Sequence, residues 1–309
     1  MNQLTKLMVG LDLTEMDDHL IRYAAFLSEK PPIEKVIFMH AQKTIEIPHE
    51  IMESFTHDFN KVEDSIRDMI RAKIKPYFDK LVHVEVEIIV LEGNPVKELL
   101  SWTKEQQADL IIVGRKLYLK GSGVLPQKLL RAGRVSVLFI TENAEPVLRR
   151  IVVSIDFSDY SMMALDQMLH SALNRPEIEI ICLHVYEVPS GYITLGESYE
   201  EFDARMRDFA REKFDKVLNG FPEFKDRVHL ILVKKEHEDD IGELIVLEAK
   251  KEKADMLVIG AKGKSAAALF IMGSVTERIL RFNDSMPLMV FKKKNEEIGF
   301  LDALLHSDE

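Results

Sequence analysis

Three glycines and a serine in the last fifth of the chain have the spacing G-x2-G-x9-G-S, at Gly260, Gly263, Gly273 and Ser274. Glycine has no Cβ, so it accepts positive φ and lets main-chain N–H groups approach a phosphate. The stretch follows an apolar segment and precedes a predicted helix, whose first N–H groups and dipole favour an anion. The spacing differs from a Walker loop and from a dinucleotide fingerprint. It indicates a phosphate-binding loop of another type.

The same residues permit a simpler interpretation. Ser274 and Glu277 match the capping box S-x-x-E, which starts a helix without any ligand. A glycine-rich connection between a strand and a helix is also ordinary turn chemistry. Taken alone, the loop fits phosphate binding and plain capping equally well, so its surroundings must decide.

A second candidate is Asp156, which ends the apolar run that begins at Ile151. A carboxylate at the carboxyl end of a parallel strand faces the crevice where such sheets bind ligands, and it accepts hydrogen bonds from hydroxyl or amine groups. The alternative is local, since Asp often caps the turn that follows it. We favour the ligand role because of the glycine loop that Asp156 would face.

The chain contains an internal repeat. Asp12 and Asp156 each follow an apolar run and precede an apolar residue and a hydroxyl, 144 residues apart. His40 and His184 end a second apolar run in each half at the same separation. Because the two histidines occupy matching positions, we interpret them as architectural rather than catalytic.

In each half, apolar strands alternate with helical patterns, which predicts a parallel sheet covered on both faces. The predicted fold class is α/β, with two tandem doubly wound, open, mainly parallel five-stranded sheets. A short polar linker ending in Pro146 places the boundary near residue 145. We expect domains at 1–145 and 146–294, and a tail at 295–309 with apolar residues at helical spacing. We expect the tail to dock on the body; a partner-binding helix is the alternative.

The first half departs from the loop pattern. Between Gly114 and Gly123 its loop is four residues shorter, Leu117 stands in place of the second glycine, and Val124 replaces the serine. Valine has no side-chain oxygen to cap a helix or contact a phosphate. We therefore expect the first half to have lost the phosphate-binding part of the site.

Composition narrows the class of protein. The chain has 309 residues and a net charge of −11, which opposes nonspecific binding to nucleic acid or anionic membrane. Its one cysteine, Cys182, excludes an intrachain disulfide. The N-terminal sequence does not read as a signal peptide, and no apolar run is long enough to span a bilayer. We expect a cytoplasmic protein without membrane insertion.

Together, the Asp after strand one, Val185 after strand two and the G-x2-G-x9-G-S loop resemble the universal stress protein family over nearly the whole chain. The resemblance implies an adenine nucleotide alpha hydrolase-like fold and an ATP site in the second half. It places Asp156 and Ile155 near the base and ribose, and the Val185 backbone at the adenine. The residues that it implies for ribose and phosphates are Gly260, Gly263, Gly273, Ser274 and Val275.

The resemblance further implies that the two domains pack as an intramolecular pseudo-dimer, with a further homodimer left open. We expect a stress-response protein that binds ATP, with or without Mg²⁺, and signals to an unidentified protein partner. No general base or arginine finger is evident, so no catalytic residue is assigned and any ATP hydrolysis would be slow. The alternatives are a scaffold that binds no nucleotide, and a true ATPase or nucleotidyl transferase.

Overall fold

The computed structural model describes residues 4–42, 59–116, 125–132, 135–262 and 273–292. Gly263 and the predicted tail lie outside these residues. The chain divides into two units, Met1–Pro146 and Val147–Glu309. Each unit builds its own parallel sheet.

The first unit has five parallel strands in the order β3-β2-β1-β4-β5. The strands are β1 Lys6–Leu11, β2 Lys35–Gln42, β3 Glu85–Glu92, β4 Leu110–Arg115 and β5 Ser136–Thr141. The described helices are α1 Met16–Ser28, α2 Phe59–Phe78, α3 Pro95–Glu105 and α4 Leu125–Ala132.

The second unit repeats this arrangement, with parallel strands in the order β8-β7-β6-β9-β10. The strands are β6 Arg150–Ser154, β7 Glu179–Tyr186, β8 Val228–Lys234, β9 Met256–Gly260 and β10 Leu288–Phe291. The helices are α5 Asp159–Ala172, α6 Tyr192–Leu195, α7 Tyr199–Leu218, α8 Ile241–Lys251 and α9 Ser274–Phe282, with a 3-10 turn at Pro222–Phe224.

The strands are apolar because helices cover both faces of each sheet. Every residue of β5 and β10 is buried, as are the first four residues of β4 and β9. Such continuous apolar runs are typical of parallel sheets in α/β domains. The predicted fold class is confirmed.

Helix starts follow local capping chemistry. The Asn94 side chain accepts hydrogen bonds from the N–H groups of Val96 and Lys97, and Pro95 occupies the first helical position of α3. Asp240 caps α8 by accepting from the N–H of Glu243 at 3.1 Å. These caps fix the residues at which α3 and α8 begin.

The repeat extends to unusual backbone conformations. Leu13 and Phe157, the residues after the two matching aspartates, have φ of 60° and 59°. Gln107 and Lys253, shortly before β4 and β9, have φ of 53° and 54°. Positive φ is uncommon for such side chains, so these conformations are imposed by the surrounding fold rather than by local preference.

No helix in the described parts of the chain is both long and apolar enough to cross a membrane.

Candidate functional site

The candidate site lies at the carboxyl edge of the second sheet, where β6 stands between β7 and β9. The chain runs from β6 outward to β7 on one side and later returns to β9 on the other, so the strand order reverses here. Open α/β sheets bind ligands in the crevice at such a point. The predicted site residues on these strands therefore lie at one edge of the sheet.

Asp156 directly follows β6 and organises the turn into α5. Its Oδ1 accepts hydrogen bonds from the amide of Ser158 at 3.0 Å and from the Ser158 hydroxyl at 2.5 Å. Phe157 between them adopts the left-handed conformation. The capping role weighed for Asp156 from the sequence is thus real, and it holds a half-buried carboxylate at the strand end.

Ser161 connects this turn to the glycine loop. Its Oγ accepts a hydrogen bond from the amide of Asp156 at 3.2 Å. A Cβ on Gly260 would lie 3.0 Å from the Ser161 nitrogen and 2.9 Å from the carbonyl carbon of Tyr160. A side chain at Gly260 would collide with the backbone at the start of α5, so the close approach of helix and strand requires glycine here.

The far end of the loop returns to the same strand. The Gly273 amide donates to the Ala261 carbonyl at 3.2 Å, and the Thr276 hydroxyl donates to the Gly260 carbonyl at 3.4 Å. Helix α9 therefore begins beside the end of β9. Val275 is half-buried and Ser274 is exposed in its first turn.

The predicted capping box at Ser274 and Glu277 is wrong. Gly273 is the N-cap of α9, and Ser274 is already its first helical residue. The Glu277 amide bonds to the Gly273 carbonyl, as in the first turn of any helix. Since glycine has no side chain, the helix begins without a side-chain cap, which leaves its positive end to other partners.

The base side of the predicted site is closely packed. Ile155 is 2% exposed, and its amide donates to the Leu183 carbonyl at 2.8 Å. His184 Nδ1 lies 2.7 Å from the Ile155 carbonyl oxygen, so this ring ties the end of β7 to the end of β6. Val185 is half-buried next to it. This contact gives His184 the architectural role that the sequence indicated.

Two lysines add positive charge at this edge. Lys262 follows β9, and its Nζ lies 5.3 Å from the centroid of the Tyr160 ring, within cation–π range. Lys292 follows the adjacent strand β10. Burial and, to a smaller extent, the positive charge of Lys262 lower the pKa of Lys292 to about 8. Burial also lowers the pKa of Lys262.

Two of these contributors were missed from the sequence. Ser161 stands five residues after Asp156, and Lys292 follows the last apolar strand of the unit. The position of Ser161 relative to the repeat was a usable signal, because its counterpart Asp17 also follows Asp12 by five residues. Lys292 had no sequence signal, since only the pairing of β9 with β10 brings it near Lys262.

The corresponding edge of the first unit has a different charge pattern. Lys116 and Asp12 form an ion pair, and the Thr14 hydroxyl donates to Asp12 at 2.6 Å. Asp17 replaces the serine and accepts from the amides of Asp12 and Leu13, each at 3.0 Å. Asp17 is 1% exposed, and burial raises its pKa to about 6.

Comparison with known proteins decides the family. The model of the universal stress protein family matches the chain twice, at residues 3–140 and 148–290. The chain belongs to the universal stress protein family. The two matches place one family domain in each half, as the resemblance implied.

Relatives support this assignment. One universal stress protein of Methanocaldococcus jannaschii is 28% identical over 159 residues, which cover 51% of this chain and 90% of that protein. A second from the same organism is 26% identical over 163 residues, covering 48% and 96%. The crystal structure of a universal stress protein from Archaeoglobus fulgidus aligns with a TM-score of 0.63 and 17% identity, covering 96% of this chain and 98% of that one. That structural likeness shows the fold.

Proposed function

We propose that the second unit binds an adenine nucleotide, and specifically ATP, at the carboxyl ends of β6, β7 and β9. Binding there would change the surface that the unit presents to a protein partner in a stress response. This proposal assigns base and ribose to Ile155, Asp156 and Val185. It assigns the ribose and phosphates to the glycine loop and the start of α9, through Gly260, Gly263, Gly273, Ser274 and Val275.

The observation that carries the proposal is the linkage of Asp156 to the glycine loop through Ser161. One hydroxyl binds the amide after β6, and the same residue lies against Gly260 at the end of β9. The Asp156 carboxylate and the start of the glycine loop at Gly260 thus adjoin across neighbouring strands. This is the arrangement that a nucleotide needs at a switch point.

The local charges support a phosphate ligand. Two cations lie at this edge, and burial disfavours both of them in their charged forms. A phosphate between or beside them would relieve their repulsion and restore the charge that burial opposes. An uncharged ligand would offer no such gain. Mg²⁺ would then be coordinated by the phosphates of the nucleotide rather than by a cluster of protein carboxylates.

The test is thermal unfolding of the full chain with and without ATP. At a ligand concentration of 100 times Kd, binding stabilises by about 2.7 kcal/mol, which raises Tm by roughly 5 to 10 °C in a unit of this size. ADP, AMP and a cyclic nucleotide serve as competitors. A mass spectrum of nucleotide released on denaturation identifies the natural ligand. A scaffold gives no shift and releases nothing, and an ATPase gives turnover far above background.

Gly273→Val is the informative variant. Gly273 has φ −58° and ψ 142°, which valine adopts readily, and among the described residues the atom nearest to a new Cβ would be the Ala261 carbonyl oxygen at 3.4 Å. The fold should tolerate valine while its side chain obstructs the start of α9. The ATP-dependent shift should disappear, whereas Lys116→Gln in the first unit should leave it intact. A shift that survives Gly273→Val would refute the assigned site.

A further inference from the structure

The first unit has its own cavity of about 310 Å³ at the carboxyl ends of β1, β2 and β4. It is lined mainly by apolar residues from these strands and from α1 and α3, including Leu11, Met39 and Leu99. Asp12, His40, Gln42 and Lys116 are the described lining residues with polar side chains. Small-molecule sites are concave, largely apolar and of at least this volume, with a few polar groups that orient the ligand.

The cavity keeps the base and ribose half of the site assigned above to the second unit. Leu11, Asp12 and Ala41 line it, and they match Ile155, Asp156 and Val185 through the repeat. The histidine contact is also repeated, because His40 Nδ1 lies 3.1 Å from the Leu11 carbonyl oxygen. The same backbone frame therefore surrounds both sites.

An ion pair lies at the start of the loop that corresponds to the phosphate half. Lys116 stands two residues after Gly114 of β4, as Lys262 stands two residues after Gly260 of β9. Lys116 pairs with Asp12. Asp17 adds a second, buried carboxylate directly below this turn. Among these three described groups two are carboxylates and one is a lysine, so together they present net negative charge to a phosphate. Asp12 keeps a half-exposed side chain and can accept further hydrogen bonds from hydroxyl groups.

We propose that the cavity of the first unit binds an uncharged nucleoside and discriminates against its phosphorylated form. The inference rests on the proposed function, from which the base and ribose positions are taken. The two units would then report on different phosphorylation states of one class of molecule. The ion pair between Asp12 and Lys116 sets the preference, because it engages the one lysine among the described lining residues and so keeps it from a phosphate.

The experiment titrates adenosine and AMP into the full chain carrying Gly273→Val, with the heat of binding as readout. Adenosine should bind once per chain, and AMP at least about tenfold more weakly, a difference of about 1.4 kcal/mol. Ala41→Phe fills the cavity and should abolish adenosine binding. Equal or tighter binding of AMP overturns the proposal, as does the absence of adenosine binding.

Asp12→Asn provides the second variant, since it removes the carboxylate and releases Lys116 without filling the cavity. The affinity for AMP, relative to that for adenosine, should rise at least about tenfold. An unchanged ratio would overturn the role of the ion pair. ATP binding by chains with an intact Gly273 checks that Ala41→Phe and Asp12→Asn remain folded. Loss of the ATP shift in all chains would refute the second-unit site alone, whereas adenosine binding unaffected by Ala41→Phe would refute only the first-unit cavity.

Discussion

The two units place the same backbone turn at the same sheet edge and surround it with opposite charge. In the first unit Asp12 is paired with Lys116, and Asp17 lies buried beneath it. In the second unit Asp156 is held by serine hydroxyls, and two lysines follow the adjacent strands. A duplicated fold thus keeps its architecture, which depends on packing, while a few substitutions at strand ends change which ligand the edge can accept.

The largest expected effect comes from Asp17, whose counterpart in the second unit is neutral. Burial raises its pKa to about 6 in the folded state, above the ordinary value of 3.8. The folded state therefore binds this proton more tightly, so the contribution to stability is present below about pH 4 and is lost as pH rises through about 6. Between about pH 4 and the region above pH 6, the free energy of unfolding of the wild-type chain should fall by about 2 to 3 kcal/mol relative to that of Asp17→Asn.

Denaturant unfolding at a series of pH values measures this difference. Asp18→Asn changes the neighbouring carboxylate, which is 60% exposed and paired with Lys73. In that control the unfolding free energy should depend on pH with the same slope as in the wild-type chain. Identical slopes for the wild-type chain and Asp17→Asn would remove the electrostatic contrast between the units.

Gly260 at the end of β9 and Gly114 near the end of β4 should respond differently to substitution by alanine. At Gly260 the new Cβ meets the backbone of Tyr160 and Ser161, whereas at Gly114 it meets the side chain of Met16. At Gly114 the closest contact is with Cγ of the buried Met16, which a change of χ1 in that side chain relieves, whereas a helix backbone must shift as a whole. Gly260→Ala should cost about 2 kcal/mol of unfolding free energy, and Gly114→Ala about 1 kcal/mol. Equal losses would show that both helices approach their strands alike.

Lys292 should couple nucleotide binding to pH. Its pKa of about 8 lies below the ordinary value because of burial and the charge of Lys262. A bound phosphate favours the charged lysine, so ATP affinity should fall as pH rises from 7 to 9. Lys292→Gln should weaken ATP binding about tenfold at pH 7 and flatten this dependence.

Titration calorimetry at several pH values measures the lysine effect. Lys116→Gln changes a lysine of the first unit and should leave ATP affinity unchanged. If Lys292→Gln binds ATP as tightly as the wild-type chain, the second lysine plays no part in the site.

The smallest expected effect is in the aspartate turns themselves. Ser158 caps α5 and donates to Asp156, so Ser158→Ala should cost about 1 kcal/mol. Thr14→Ala should cost less, because α1 has Glu15 at its N-cap without a side-chain cap. The measurement is the difference in unfolding free energy between each variant and the wild-type chain. A larger loss for Thr14→Ala would reverse the assignment of capping roles.

Much of the fold followed from local pattern. The apolar run at 228–234 predicts a strand, which is observed as Val228–Lys234. The helical pattern from Ser161 to Leu173 predicts a helix, which is observed as Asp159–Ala172. The early start of that helix reflects its cap, since Ser158 binds the Ser161 amide. The capping box at Ser274 failed because S-x-x-E does not specify which residue precedes the first turn. The bond from Gly273 to Ala261 decided that.

The domain boundaries at 145 and 294 and the role of Gly263 stay predictions. The loss of phosphate binding in the first unit also stays a prediction, because its argument from Leu117 and Val124 concerns residues outside the described structure. The charge pattern around Asp12 now gives that expectation an independent basis.

The sequence by itself determined the duplication, the alternation of strands and helices, and the edge of each sheet where polar residues collect. These properties depend on neighbours along the chain, which set apolar periodicity and turn chemistry. Only the tertiary structure decided that Lys116 neutralises Asp12 and that Lys292 adjoins Lys262. Those partners are 104 and 30 residues apart, so their meeting depends on strand order and register, which long-range packing selects.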